Sequence, residues 1–261
     1  MAPRLMTLAQ WTRSTPWRAT LPHSCPDHAF LWLTRGQGRC LVAGRRRGLG
    51  VHSALVIPAG SLFALQPATQ NGAQSFGLVC LMPAGGPALL PDEPQLLRIT
   101  DQRAQSDLTL LFETMQREQN EEKPFMGDAL TAQGEVLTVW LRRAMVADTE
   151  TALPSASQRL VDAFCALVER DYARGLPMQE YARRLGVTPT HLTRVSKALT
   201  GMTALEILTG RVLYAARDML ETTRMPAKQI AALLGFRSAA YFSRFIHHHT
   251  GHAPRALRQA A

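Results

Sequence analysis

The sequence predicts an α+β chain of two domains, an N-terminal β-barrel with two helices and a C-terminal all-α module of two helix-turn-helix units joined by a long helix. Three observations carry this prediction. The last hundred residues contain one pattern twice, the first hundred contain β-prone runs broken by glycines, and the positive charge is concentrated at one end.

The repeat comes from setting "ARRLGVTPTHLTRVSKALTGMTA", residues 182–204, against "AALLGFRSAAYFSRFIHHHTGHAP", residues 231–254. Both run Ala-x-x-Leu-Gly, then an apolar residue, a polar entry, apolar–(Ser/Thr)–Arg–apolar, and Thr-Gly. With one extra residue in the second copy, Leu192, Thr193, Arg194 and Val195 match Phe242, Ser243, Arg244 and Phe245. In the first copy residues 178–185 predict a short helix stopped by Gly186, and Thr188 predicts an N-cap with Pro189 at the first helical position. The helix that follows is expected to bury Leu192, Val195 and Leu199 and to turn Thr190, Thr193, Arg194 and Lys197 outward. In the second copy residues 227–234 end at Gly235, Phe236 fills the corner and Ser238 caps the next helix. Phe242, Phe245, Ile246 and His249 are expected inside, with Ala239, Ala240, Ser243, Arg244 and His247 outside. The units span 178–199 and 226–249. Between them residues 203–221 read as one amphipathic helix, long enough to set two recognition helices about one DNA turn apart.

Charge agrees with this reading. From Gln158 onward there are 15 Lys and Arg against 7 Asp and Glu, whereas the first 157 residues hold 14 against 13. Such an excess at one end suits a polyanion, although a solvated basic face would give the same count.

The run "GRVLYAARDMLETTRMPAKQIAALLGFRSAAYFSRFIHHHTGHAPRALR", residues 210–258, resembles the signature of the AraC/XylS family of bacterial transcription regulators. The matching elements are Arg-apolar-x-x-Ala in the joining helix, the Ile-Ala-x-x-x-Gly-Phe corner, Tyr-Phe-Ser-Arg, and Gly-x-x-Pro-x-x-x-Arg. The resemblance implies double-stranded DNA as partner, contacted through Thr190, Thr193 and Arg194 in the first unit and Ala239, Ala240, Ser243 and Arg244 in the second. Lys197 and His247 are added from the outward faces. The family usually has an aromatic where Ser196 stands, which suggests a looser first core, and a lysine where His247 stands. Two alanines offer bases only methyl contacts, so Arg194 is expected to carry more of the direct readout. His247, His248 and His249 are adjacent on a helix, point in three directions, and cannot converge on one metal.

In the first half, residues 27–81 read as short strands in "HAFLWLTRGQGRCLVAGRRRGLG", "ALVIPAGSLFALQ" and "SFGLVCLMP". Beside the C-terminal resemblance, this part is similar to the cupin-like sensor domain often attached to such modules. The barrel interior is then the expected effector pocket, with His28, Trp32, Arg35, Phe63, Gln66 and Phe76 as candidate lining, although the aromatics could equally be core. Arg45, Arg46 and Arg47 read as a solvated hairpin tip. Metal-dependent cupin enzymes have a histidine where Phe63 and Ala64 stand; His23, Cys25 and His28 have only loosely ligand-like spacing, so no metal and no cofactor is expected. No paired carboxylates, nucleophile elbow or phosphate loop is visible, and the chain is not expected to be an enzyme. The scattered Cys25, Cys40, Cys80 and Cys165 read as buried thiols rather than a redox sensor.

The expected domains are 1–100 for the β sensor, 101–148 for a helical pair that either dimerises or packs on the barrel, 149–157 for a polar linker, and 158–261 for the DNA module. Without a leader-like or membrane-spanning run the protein is expected in the cytoplasm. The expected function is sequence-specific transcription regulation by a homodimer, modulated by a small-molecule effector and communicating with RNA polymerase. A cupin enzyme fused to a DNA module, and an architectural DNA binder without sequence preference, are the competing readings.

Overall fold

The computed structural model describes residues 2–12, 15–42, 44–67, 76–85, 90–147 and 154–259. The chain divides into two compact units, Met1–Ala19 with Ser24–Leu153, and Thr20–His23 with Pro154–Ala261.

The first unit holds two antiparallel sheets. Strands β1 (Arg4–Thr7), β2 (His28–Arg35), β5 (Ser53–Ile57), β7 (Phe76–Met82) and β8 (Gln95–Arg98) form one, in the order β1-β7-β2-β5-β8. Strands β3 (Gly38–Val42), β4 (Arg45–Leu49) and β6 (Phe63–Pro67) form the other, in the order β4-β3-β6. Two short helices, α1 (Leu8–Trp11) and α2 (Pro16–Thr20), follow β1. Helices α3 (Gln102–Glu121) and α4 (Met126–Ala147) follow β8.

The large sheet is buried on both faces, which is why β2 reads as an unbroken apolar run. The strand period of two sends Ala29, Leu31 and Leu33 into the core shared with the small sheet, beside Cys40, Val42, Phe63 and Leu65. It sends Phe30 and Trp32 into a second core with Leu108, Phe112 and Met115 of α3 and Leu130, Leu137 and Leu141 of α4. The apolar stripes of the helical pair therefore cover the sheet. Exposed on the same helices remain Leu110, Val136, Val139 and Val146.

Arg45, Arg46 and Arg47 differ from expectation. They form β4, paired as Val42↔Arg45, Leu41↔Arg46 and Cys40↔Arg47, rather than a hairpin tip. The turn falls before them, where Gly44 takes a positive φ of 56°. Their side chains are largely exposed on an edge strand, where positive charge opposes unwanted strand pairing.

The second unit is helical: α5 (Ala156–Asp171), a 3-10 turn (Tyr172–Arg174), α6 (Met178–Arg184), α7 (Pro189–Thr200), α8 (Ala204–Thr222), α9 (Ala227–Leu233), α10 (Ala239–Thr250) and α11 (Pro254–Gln259). Of the expected linker, residues 149–153 lie outside the described residues, while Ser155 already caps α5 by accepting from the Gln158 N–H. Helix α8 starts with a reciprocal capping box between Thr203 and Glu206, and its 19 residues span about 28 Å. Gly210 on α8 leaves room for Pro22, since a Cβ there would stand 2.7 Å from the proline Cδ. One turn further, the His23 ring stacks on Tyr214 with centroids 4.1 Å apart.

Candidate nucleic-acid interface

Helix pairs α6–α7 and α9–α10 repeat each other in detail. Thr188 Oγ1 accepts from the His191 N–H at 3.2 Å, and Ser238 Oγ accepts from the Tyr241 N–H at 3.1 Å. The corner glycines Gly186 and Gly235 have φ of 69° and 72°, and the helix-ending Gly201 and Gly251 have 76° and 72°. These left-handed values suit glycine because other residues meet a Cβ clash there. The repeated Thr-Gly has a structural cause as well. Thr200 donates to the Ser196 carbonyl at 2.7 Å and accepts from the Met202 N–H at 2.9 Å. Thr250 repeats both contacts with Ile246 and His252.

The buried stripe of α7 is Leu192, Val195, Ser196 and Thr200, and that of α10 is Phe242 and Ile246. Leu199 is half-buried. His249, expected inside, is exposed: its ring lies edge-on to Phe245 at 4.6 Å, and the helix phase turns it past the core. Its pKa is lowered, first by the desolvation of its partial burial and then by the charge of His248. Ser196 is fully buried and its hydroxyl has no hydrogen-bond partner among the described residues.

On the outer faces, Thr190, Arg194 and Lys197 are exposed and Thr193 is half-buried. With Pro189, Ala198 and Thr203 they line one open concave surface. On α10, Ala240, Arg244 and His247 are exposed, while Ala239 and Ser243 are half-buried. Tyr241, which the sequence reading passed over, is also exposed on this helix. Its place at the third residue after the cap, matching His191, was the available signal.

Two arginines of the family-like signature serve the scaffold. Arg211 lies buried on α8 and grips Glu169 of α5 through two hydrogen bonds, Nε at 2.6 Å and Nη2 at 2.8 Å, with its guanidinium 3.7 Å above the Tyr172 ring. Arg258 donates to the carbonyls of Leu220 and Met225 and so closes the end of α8. A third cluster surrounds Asp171, which accepts from Arg170, Arg174 and Arg184 and holds α5 to α6. Those hydrogen bonds and charges keep its carboxyl below the usual range. Glu180 accepts from Arg183 and Arg184, and its pKa falls to about 2.

The five candidate pocket residues whose side chains are described do not surround one space. Trp32 lies in the core under α3 and α4, and Phe63 lies between the sheets, stacked on Trp11 at 5.6 Å. His28 Nδ1 accepts from the Ala59 N–H at 3.2 Å, Arg35 and Gln66 are exposed, and the Phe76 side chain lies outside the described residues. The space enclosed by Leu31, Leu33, Leu49 and Leu65 is only about 10 Å³, barely one water. His23 Nδ1 donates to the Leu21 carbonyl at 2.8 Å. Burial pushes the Cys40 thiol up to about 11 and those of Cys80 and Cys165 to about 12, and it raises Cys25 as well.

Residues 181–260 match the family model of a helix-turn-helix domain. No curated protein matches the chain. Among solved structures, the chain is similar to ToxT from Vibrio cholerae strain SCE256 with bound unsaturated fatty acid, at 12% identity over 98% of this chain and 95% of that one, TM-score 0.45. It is also similar to the C-terminal domain of AraT, a response regulator from Geobacillus stearothermophilus, at 23% identity over 42% and 89%, TM-score 0.38. A transcriptional regulator with an AraC-type DNA-binding domain from Chromobacterium violaceum shares 27% identity over 40% and 92%, TM-score 0.36.

The second unit is thus a helix-turn-helix DNA-binding domain. Its two capped units, the single helix between them and the signature over residues 210–258 make it one of the AraC type.

Proposed function

We propose that the chain regulates transcription by binding a particular DNA sequence through α7 and α10 together. The observation that carries this reading is the doubling itself, since two recognition helices with the same caps and the same outward arginine stand on one helical scaffold. One protomer then reaches two successive major grooves, with double-stranded DNA as its partner. Arg194 and Arg244 are the base or phosphate contacts most costly to lose, and Thr190, Thr193, Lys197, Ala239, Ala240, Ser243 and His247 complete the surface.

The first unit is the sensor in this reading, and the chain carries out no catalysis. A groove of about 640 Å³ beside β1 and α3, lined by Arg4, Met6, Gln10, Gln116, Asn120 and Met126, is of the size small-molecule sites take. The exposed valines of α4 support a homodimer, and effector binding would bias DNA affinity or contact with RNA polymerase by linkage in the cytoplasm.

The test is competition between a duplex selected from a randomised library and bulk random DNA, using the full chain. A regulator prefers its site by at least about 10³-fold. A ratio near one replaces this reading with that of an architectural binder.

A further inference from the structure

Arg194 and Arg244 occupy matching places, each six residues after the cap of its recognition helix, yet their surroundings differ. Arg194 Nη2 lies 3.2 Å from Nδ1 of His191, one turn earlier on the same face. A guanidinium only donates, so Nδ1 of His191 is the acceptor in this contact. In the second unit Tyr241 stands where His191 does. Its ring leans on Phe236, centroids 5.8 Å apart, and the Arg244 side chain makes no hydrogen bond or ion pair with another described residue.

We infer that His191 is a specificity-determining positioning residue, which holds the Arg194 guanidinium in place for a base edge before DNA arrives. This rests on the reading of α7 as a base-reading helix. A long side chain fixed in one rotamer loses less freedom on binding, and two parallel hydrogen bonds to a base demand one orientation of the guanidinium plane. Arg244, unbraced, adapts to whatever phosphate or base it meets. The two readers thus divide the work, with the first unit selecting the sequence more sharply than the second.

The His191 side chain can be changed without dismantling the helix. The cap uses its backbone N–H, which alanine, phenylalanine and glutamine all keep, and the core contact belongs to its neighbour Leu192.

The experiment uses the full chain with wild type, His191→Ala, His191→Phe and His191→Gln. Each is selected against a randomised duplex library, then titrated with single-base variants of the wild-type site and with random DNA. In the expected result, Ala and Phe lose about 2- to 10-fold discrimination at one or two adjacent base pairs, bind random DNA as wild type does, and Gln restores part of the loss. Unchanged discrimination in Ala and Phe, or a uniform loss across all sequences including random DNA, overturns the inference while leaving the regulator reading in place. A wild-type protein that enriches no motif overturns both.

Discussion

Gly175 and Gly235 meet backbone against backbone. A Cβ on Gly175 would stand 2.4 Å from the Gly235 carbonyl oxygen, and one on Gly235 would stand 2.5 Å from the Gly175 nitrogen. Both have left-handed φ, 63° and 72°. The turn that leaves α5 is thereby seated on the corner of the second helix-turn-helix unit, sixty residues later in the chain.

Gly235→Ala and Gly175→Ala should each cost more than the roughly 1–2 kcal/mol of a left-handed alanine alone, because backbone has to move as well. Gly186 has a similar φ of 69° but open space around its Cβ position, so Gly186→Ala should cost only the conformational part. Denaturant unfolding of the three variants checks the order. Equal losses would mean that the contact carries no strain.

Arg211→Ala should destabilise the second unit by about 3 kcal/mol, since it removes a buried guanidinium and both hydrogen bonds it gives to the largely buried Glu169 carboxylate. Arg211→Lys should recover only part, having lost the two-pronged contact. A double-mutant cycle with Glu169→Gln should show strong coupling in unfolding free energy. Neither change should alter which bases the protein prefers.

Acid stability follows from Asp171 and Glu180. Both carboxyls have folded pKa values below their unfolded ones of roughly 4, Glu180 at about 2, so their contribution is present above pH about 4 and is lost as pH falls through those lowered values. Asp171→Asn and Glu180→Gln should flatten the decline of the unfolding midpoint over that window. An unchanged acid limb in both variants would contradict the assignment.

Ser196→Ala should be neutral or stabilising by up to about 1 kcal/mol, because it removes a buried hydroxyl that has no partner among the described residues. A clear loss of stability in thermal unfolding would show that the hydroxyl is in fact satisfied.

The helical module was legible in the sequence because its signals are local. Thr188, Ser238, Gly201 and Gly251 set helix ends within a few residues, and the duplication lets each copy check the other. What joins those pieces was not legible. The Arg211–Glu169 pair spans 42 residues, and nothing in the spacing of either names the other. In the first unit, β2 is buried on both faces, so its pattern cannot tell that Trp32 turns to the helices while Leu31 and Leu33 turn to the small sheet. For that reason the sequence could not place Trp32 and Phe63 on opposite sides of the large sheet. Strand β8 was missed because only Leu97 of its four residues is fully buried, and the run follows a Pro-rich stretch that reads as loop.

The central claim is that two recognition helices on one rigid scaffold read one face of the duplex. Hydroxyl-radical footprinting of the full chain on its selected site tests it most directly, alongside Arg194→Ala and Arg244→Ala. The account predicts paired protections about one helical turn apart on the same face, with each variant weakening a different one. A single protected patch, or two patches on opposite faces, would contradict it.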